Sequence, residues 1–206
     1  MTFKELIEEV SARGFEFIAN DEEGEARIKR WINQAYREII DYRAWGFLEG
    51  EKEGKAPLTI ADLKHVLSVV NVSNGERLTF ATRAGLERWN PGLTEVGTAT
   101  QWFLDGEDEL RVFPSDADST IQVRYLLKPP DLKEDGDEPI FDADYHDLIV
   151  DAAVVRAYKN TDNFEAAGFV RQEFDRGMRN MVRNLRKSYD GNRMIQRSGT
   201  VDDYLS

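Results

Sequence analysis

Between Ile28 and Ile40 the apolar residues fall at alternating steps of three and one: Ile28, Trp31, Ile32, Ala35, Tyr36, Ile39 and Ile40. Only a period near 3.6 gathers those positions on one side, so the spacing predicts an amphipathic helix. Its stripe is wide enough to enter a bundle, and Arg30, Asn33, Gln34, Arg37 and Glu38 occupy the remaining sides. A shorter pattern precedes it. Thr2 and Glu5 have the spacing of a capping box, and Phe3, Leu6, Ile7 and Val10 then share a helical face that Gly14 closes or interrupts. Asn20 with Glu23 marks a second start signal, and Asp21 and Glu22 add acids where the helix dipole is positive.

From about Trp45 the rhythm changes. Gly46, Gly50, Gly54 and Pro57 read as breaks, and alternation replaces the helical period. Residues 65–72 predict a strand, Ser73-Asn74-Gly75 a turn and 77–80 a short returning strand. Residues 82–89 predict one short helix ended by Asn90-Pro91-Gly92. A meander follows at 100–104, 109–113 and 120–128, with Asp105-Gly106 as the first turn and Ile121, Val123, Tyr125 and Leu127 on one face. This predicts an antiparallel sheet of about five strands, one face buried.

Pro129-Pro130 ends the sheet, and an acidic connection holding Asp131, Glu134, Asp135, Asp137, Glu138, Asp142 and Asp144 leads back to helices. Tyr145, Leu148, Ile149, Ala152, Val155 and Tyr158 form a stripe that Val150 and Val154 widen, which predicts a helix buried on most sides. After Asn160-Thr161-Asp162-Asn163, a last helix carries Phe164, Ala167, Val170, Phe174, Met178, Met181, Leu185 and Tyr189. Beyond Asp190-Gly191 no period remains. Neither helix pair alone can cover its stripe. The expectation is an α+β chain in which 1–45 and 138–190 form one four-helix bundle, 46–137 is an inserted antiparallel β unit, and 191–206 is an extended C-terminal arm.

Composition narrows the chemistry. The 206 residues include no cysteine, which excludes disulfides, thiolate metal sites and cysteine nucleophiles. No apolar run of about 18 residues occurs, so no membrane helix is expected. The acidic, amphipathic start lacks the layout of a secretory signal, which points to the cytoplasm. A net charge of −12 disfavours nucleic-acid binding by charge neutralisation. Basic residues do crowd the C-terminal stretch: Arg171, Arg176, Arg179, Arg183, Arg186, Lys187, Arg193 and Arg197. They read either as a solvated helix face with a basic tail, or as a handle for an acidic partner.

Catalytic groups do not converge. His65 heads a strand, and His146 adjoins Asp147 on a helix, where neighbouring residues point about 100° apart. His146 is therefore expected to be a packed or helix-start polar residue. The acidic connection lacks the calcium-loop pattern, and neither a phosphate-binding loop nor a serine elbow occurs. No cofactor and no enzyme activity is expected. Trp89 and Trp102 flank a loop; they serve either the core or an interface with a neighbouring subunit.

The run Arg27-Ile28-Lys29-Arg30-Trp31-Ile32-Asn33-Gln34-Ala35-Tyr36-Arg37-Glu38-Ile39, followed by Trp45-Gly46-Phe47-Leu48, resembles the second helix and exit of head-to-tail adaptor (connector) proteins of tailed bacteriophages. Leu110-Arg111-Val112-Phe113-Pro114, Ile121-Gln122-Val123-Arg124-Tyr125 and Pro129-Pro130-Asp131-Leu132 are similar to that family's strand–Pro–strand–Pro-Pro passage. Glu138-Pro139-Ile140, Tyr145-His146-Asp147-Leu148-Ile149 and Arg156-Ala157-Tyr158 are similar to its entry into the third helix. The chain departs at Phe141-Asp142, where relatives commonly have a second proline.

The resemblance implies a structural virion protein of the neck. Its copies would form a ring, commonly of twelve, beneath the portal protein. The ring would extend the DNA channel, touch DNA only transiently and dock tail or stopper proteins. The C-terminal segment would grip the portal, with Met194, Ile195, Tyr204 and Leu205 as anchors and Arg193 and Arg197 pairing with acids. The other readings are a stopper or tail-terminator protein, expected to be dominated by a β-barrel, and a non-viral helical interaction module.

Overall fold

The computed structural model describes residues 1–13, 15, 22–116 and 119–198, with side chains to residue 185. The chain is α+β and divides into two compact units, one built from Met1–Gly46 with the segment from Asp131 onward, the other from Phe47–Pro130.

Helix α1 spans Phe3–Ala12 and starts in the expected capping box, Thr2 Oγ1 accepting from the Glu5 N–H at 3.3 Å while Glu5 Oε2 accepts from the Thr2 N–H at 2.9 Å. Phe3, Leu6 and Val10 are buried; Gly14 lies outside the described residues. Helix α2, Glu22–Asp41, buries all seven members of the predicted stripe, and Glu22, Glu23 and Glu25 place negative charge in its first turn. Its start signal at Asn20 and Asp21 lies outside the described residues.

In the same unit, α4 (Asp147–Asn160) packs against α1, α2 and α5 (Phe164–Ser198). Leu148, Ile149, Val150, Ala152, Ala153, Val154, Val155 and Ala157 of α4 are buried, as the widened stripe predicts. Phe174, Met178 and Met181 of α5 are buried, whereas Phe164, expected in the stripe, is 65% exposed at the helix start. Two corrections concern the C-terminus. Asp190-Gly191 does not end the helix, and residues 191–198 are not an extended arm: α5 runs to Ser198. One interior glycine costs a helix only about 1 kcal/mol, and Arg, Met and Gln around it are good helix formers. Residues 199–206 lie outside the described residues.

The acidic stretch from Asp131 is tied to the helices of its unit. The Asn33 side chain donates to the Leu132 carbonyl at 2.9 Å and accepts from its N–H at 2.8 Å. The Phe3 N–H donates to the Asp137 carbonyl at 2.7 Å, and Tyr36 Oη accepts from the Ile140 N–H at 3.1 Å.

The second unit corrects the expected five-strand antiparallel meander. Among the described residues, eight strands form two four-stranded sheets, β1–β8–β3–β4 and β2–β7–β6–β5. The first holds β1 (Glu49–Lys55), β3 (Leu63–Asn71), β4 (Glu76–Arg77) and β8 (Thr120–Leu127); the second holds β2 (Leu58–Thr59), β5 (Thr79–Phe80), β6 (Gln101–Asp105) and β7 (Glu109–Phe113). All pairs are antiparallel except β5–β6, which is parallel. Val69, Ile121, Val123 and Tyr125 of the first sheet share one buried cluster with Leu58, Leu110 and Val112 of the second. Helix α3, Arg83–Glu87, is capped by the Thr82 hydroxyl and lies against β6.

Strand β1 has no apolar alternation, yet it pairs with β8 in unbroken register from Glu49↔Leu126 to Lys55↔Thr120. Gly50 of this strand leaves room for the Tyr125 ring: a Cβ there would stand 2.9 Å from Tyr125 Cζ.

Candidate assembly surfaces

The two histidines belong to different units. His65 is exposed on β3. His146 is 2% exposed, with Nδ1 2.7 Å from the Met1 ammonium and Nε2 2.9 Å from the Phe141 carbonyl. An ammonium donates and a carbonyl accepts, so the ring carries its proton on Nε2 and both nitrogens are engaged. His146 is thus a packed polar residue, as its sequence setting predicts.

A hollow of about 200 Å³ in the second unit is lined by Pro57, Leu93, Phe103 and Phe113, with Arg83 and Arg111 at its charged side. Those cations are already matched. Arg83 donates to Glu87 at 2.8 Å and Asp105 at 2.5 Å, and Arg111 to Asp105 at 3.1 Å and Glu109 at 2.6 Å. Among the described residues, no group of three or more His, Asp or Glu is placed to hold a metal ion, and no helix is long and apolar enough to cross a membrane.

The helical unit has an ionic joint that the sequence pattern does not reveal. Glu38 of α2 accepts from Arg156 of α4 at 2.6 Å and from Arg171 of α5 at 2.7 Å. Burial alone would raise the Glu38 carboxyl; the hydrogen bonds from Arg156 and Arg171 outweigh it and hold the group below the usual range. Asp151 behaves oppositely. Burial raises it although Arg13 donates to it at 2.6 Å.

The two tryptophans singled out in the sequence have different settings. Trp89, just after α3, is 90% exposed. Trp102 on β6 is half-buried against the inter-sheet cluster, its ring centroid 4.8 Å from that of Phe80. Of the C-terminal residues, Arg193, Met194, Ile195 and Arg197 lie on the helical backbone of α5, and Tyr204 and Leu205 fall outside the described residues.

Two charged surfaces of the helical unit emerge from packing. Burying Ala167, Phe174, Met178 and Met181 against α4 turns the other side of α5 outward, with Phe169, Arg176, Arg179 and Arg183 exposed. Arg176 reaches Glu173 at 3.2 Å and Arg183 donates to Asn180 at 3.1 Å; among the described residues no carboxylate pairs with Arg179 or Arg183. Opposite in sign is the stretch after Asp131, where Glu134, Glu138, Asp142 and Asp144 are exposed and none forms an ion pair among the described residues. Asp137 differs: the backbone N–H groups of Lys133 and Glu134 donate to it and lower its carboxyl.

No curated protein matches the chain. A family model does, described as SU10 adaptor protein, and it covers residues 1–199, nearly the whole length and both compact units. With an α+β fold, helices from both ends of the chain in contact, and exposed charged and aromatic surfaces, this match makes the chain a member of the SU10 adaptor family, a family of phage head–tail adaptor proteins.

Proposed function

We propose that the chain is a head-to-tail adaptor subunit whose copies, commonly twelve, form a ring between the portal and the tail and extend the DNA channel. In this reading α1, α2, α4 and α5 act as one four-helix bundle that gives the subunit its rigid body. The residues from 191 to 206 reach the portal, with Met194, Ile195, Tyr204 and Leu205 as anchors and Arg193 and Arg197 as partners for acids. Trp89 and Trp102 serve the neighbouring subunit or the tail. The net charge of −12 fits a channel wall that repels phosphate, so that DNA passes without sticking. Virion neck location and portal and tail partners follow from the same reading.

The observation that carries it, beyond family membership, is the length of α5. At 1.5 Å per residue, the 35-residue α5 is about 52 Å long and the 14-residue α4 about 21 Å. The two are joined through a tight turn at Thr161, and Tyr145, just before α4, meets Asn184 with 3.4 Å between their polar atoms. From there α5 runs on to Ser198, beyond the start of α4. A helix that outruns its packing partner suits a segment meant for another molecule.

The test is to mix the protein with a portal ring of its phage and image the complex, using the full chain and a chain ending at Asp190. The full chain is expected to decorate the portal as a ring and the shortened chain to lose most of its affinity. Equal binding by both would refute the arm; absence of any ring with the full chain would refute the adaptor reading itself.

A further inference from the structure

We propose that the outward face of α5 is the docking surface for the next copy of this chain, with Arg176, Arg179 and Arg183 of one copy meeting Glu134, Glu138 and Asp144 of its neighbour. The proposal rests on the adaptor reading and names the contact that would close the ring.

Three observations converge. The first is that α5 is one-sided: its buried residues face α4, and its outward face has no described element on it. The second is the arrangement of charge. In a chain of net charge −12, many arginines are tied to carboxylates, among them Arg13, Arg37, Arg83, Arg111, Arg124, Arg156 and Arg171. Among the described residues Arg179 and Arg183 are not, and with Arg176, which reaches only the exposed Glu173 of its own helix, they stand at spacings of three and four, which brings them to one side of the helix. The third is that acids of the complementary sign are exposed on the same chain and, among the described residues, form no ion pair there. The stretch after Asp131 is pinned to α1 and α2 through the backbone of Leu132, Asp135, Asp137 and Ile140, so the backbone that carries its exposed acids is held in place.

Each surface also carries an exposed apolar residue, Phe169 at 64% on α5 and Ile140 at 39% on the acidic stretch. Two different patches that fit each other produce a head-to-tail contact, and such contacts close into rings when the rotation allows. A second copy is therefore the occupant favoured here, since it supplies charge of the right sign and number without a further protein. Exposed ion pairs add little each and are screened by salt, so the contact should be weak in the free chain and consolidate on a portal template.

The experiment uses charge exchange in the full chain. One variant carries Arg176→Glu, Arg179→Glu and Arg183→Glu; the other carries Glu134→Arg, Glu138→Arg and Asp144→Arg. Asp137 and Asp142 are left intact because both accept backbone N–H bonds. Ring formation on the portal is read by native mass spectrometry and negative-stain imaging, with circular dichroism confirming the helices. Each variant alone is expected to raise the concentration needed for a ring by roughly a hundredfold, as three attractive pairs become repulsive. An equal mixture is expected to regain rings in which the variants alternate, since acid then faces base at every contact.

Rings from either variant alone, or failure of the folded mixture to recover, would overturn the proposal while leaving the adaptor reading intact, provided the unaltered chain still forms rings. A second pair of variants with glutamine at the same positions guards against misfolding; these should weaken rings less than reversal does, and should lose the salt dependence. Unchanged salt dependence in the glutamine variants would also overturn it.

Discussion

Two glycines of α5 should respond to the same substitution with opposite signs. Gly177 faces α4 so closely that a built Cβ would collide with Leu148 Cδ2, whereas a Cβ on Gly168 would meet nothing within 4 Å. Replacing an interior helical glycine by alanine gains about 1 kcal/mol of helix propensity. At Gly168 nothing opposes the gain, so Gly168→Ala should stabilise by about 1 kcal/mol. At Gly177 the added methyl must displace Leu148, which is 6% exposed and hemmed in by α5. Overpacking of this kind costs about 1–3 kcal/mol, so Gly177→Ala should come out about 1 kcal/mol less stable. Leu148→Ala alone opens a cavity and should cost about 2–4 kcal/mol. The double variant should recover part of that loss, because the new methyl occupies vacated space, with a coupling of about 1–2 kcal/mol. Urea denaturation followed at 222 nm reads these values from the helical unit, which holds the long helices. If Gly177→Ala stabilises as Gly168→Ala does and is additive with Leu148→Ala, the close α4–α5 contact is wrong.

Other outcomes follow from single residues. Glu38→Gln should cost about 1–2 kcal/mol at pH 7, since it weakens two charge-assisted hydrogen bonds on partly exposed side chains. Because the folded-state carboxyl lies below its ordinary value of 4.5, that contribution is present above about pH 4.5 and fades as pH falls through the lowered value. Denaturation of both forms from pH 7 to pH 3 should show the difference shrinking; a constant difference would contradict the assignment. Asp151 shifts the other way, so Asp151→Asn should be neutral or mildly stabilising at pH 7, and a loss above about 1 kcal/mol in thermal melts would show that Arg13 outweighs burial. Trp89→Ala should leave stability within about 0.5 kcal/mol, because its side chain is 90% exposed, yet weaken ring formation on the portal. Normal rings from that variant would remove Trp89 from the interface.

How much of this was legible in the sequence depends on what holds each element. The α2 stripe could be read residue by residue because a long amphipathic helix is specified by its own period, and all seven predicted positions are buried. Strands β7 and β8 could be read for the matching reason, with Leu110 and Val112, and Ile121, Val123 and Tyr125, alternating inward. Strand β1 could not. Its sequence, Glu-Gly-Glu-Lys-Glu-Gly-Lys, contains no apolar residue, and its pairing rests on backbone hydrogen bonds to β8 and on the space its Gly50 leaves for Tyr125. Strand identity there belongs to the neighbour's sequence rather than its own. The charges suit it to a sheet edge, where they discourage further pairing.

The candidate surfaces divide along the same line. The basic crowding of the C-terminal stretch is visible in the sequence, but which arginines are free is decided by tertiary neighbours. Arg171 looks no different from Arg179 until α2 brings Glu38 alongside it, 133 residues away in the chain. Once Arg171 is taken up in the joint with Glu38, Arg179 and Arg183 are set apart on α5 by having no carboxylate partner among the described residues, and Arg176 has only the exposed Glu173 of its own helix. The acidic stretch shows the converse. Asp137 spends its charge on the backbone N–H groups of its own loop, and Asp131 spends its charge on Arg37, whereas Glu134, Glu138 and Asp144 keep theirs. A chain that satisfies its charges this unevenly, pairing those at the joints of its helices and leaving opposite signs bare on separate surfaces, offers both halves of the contact between copies that we propose.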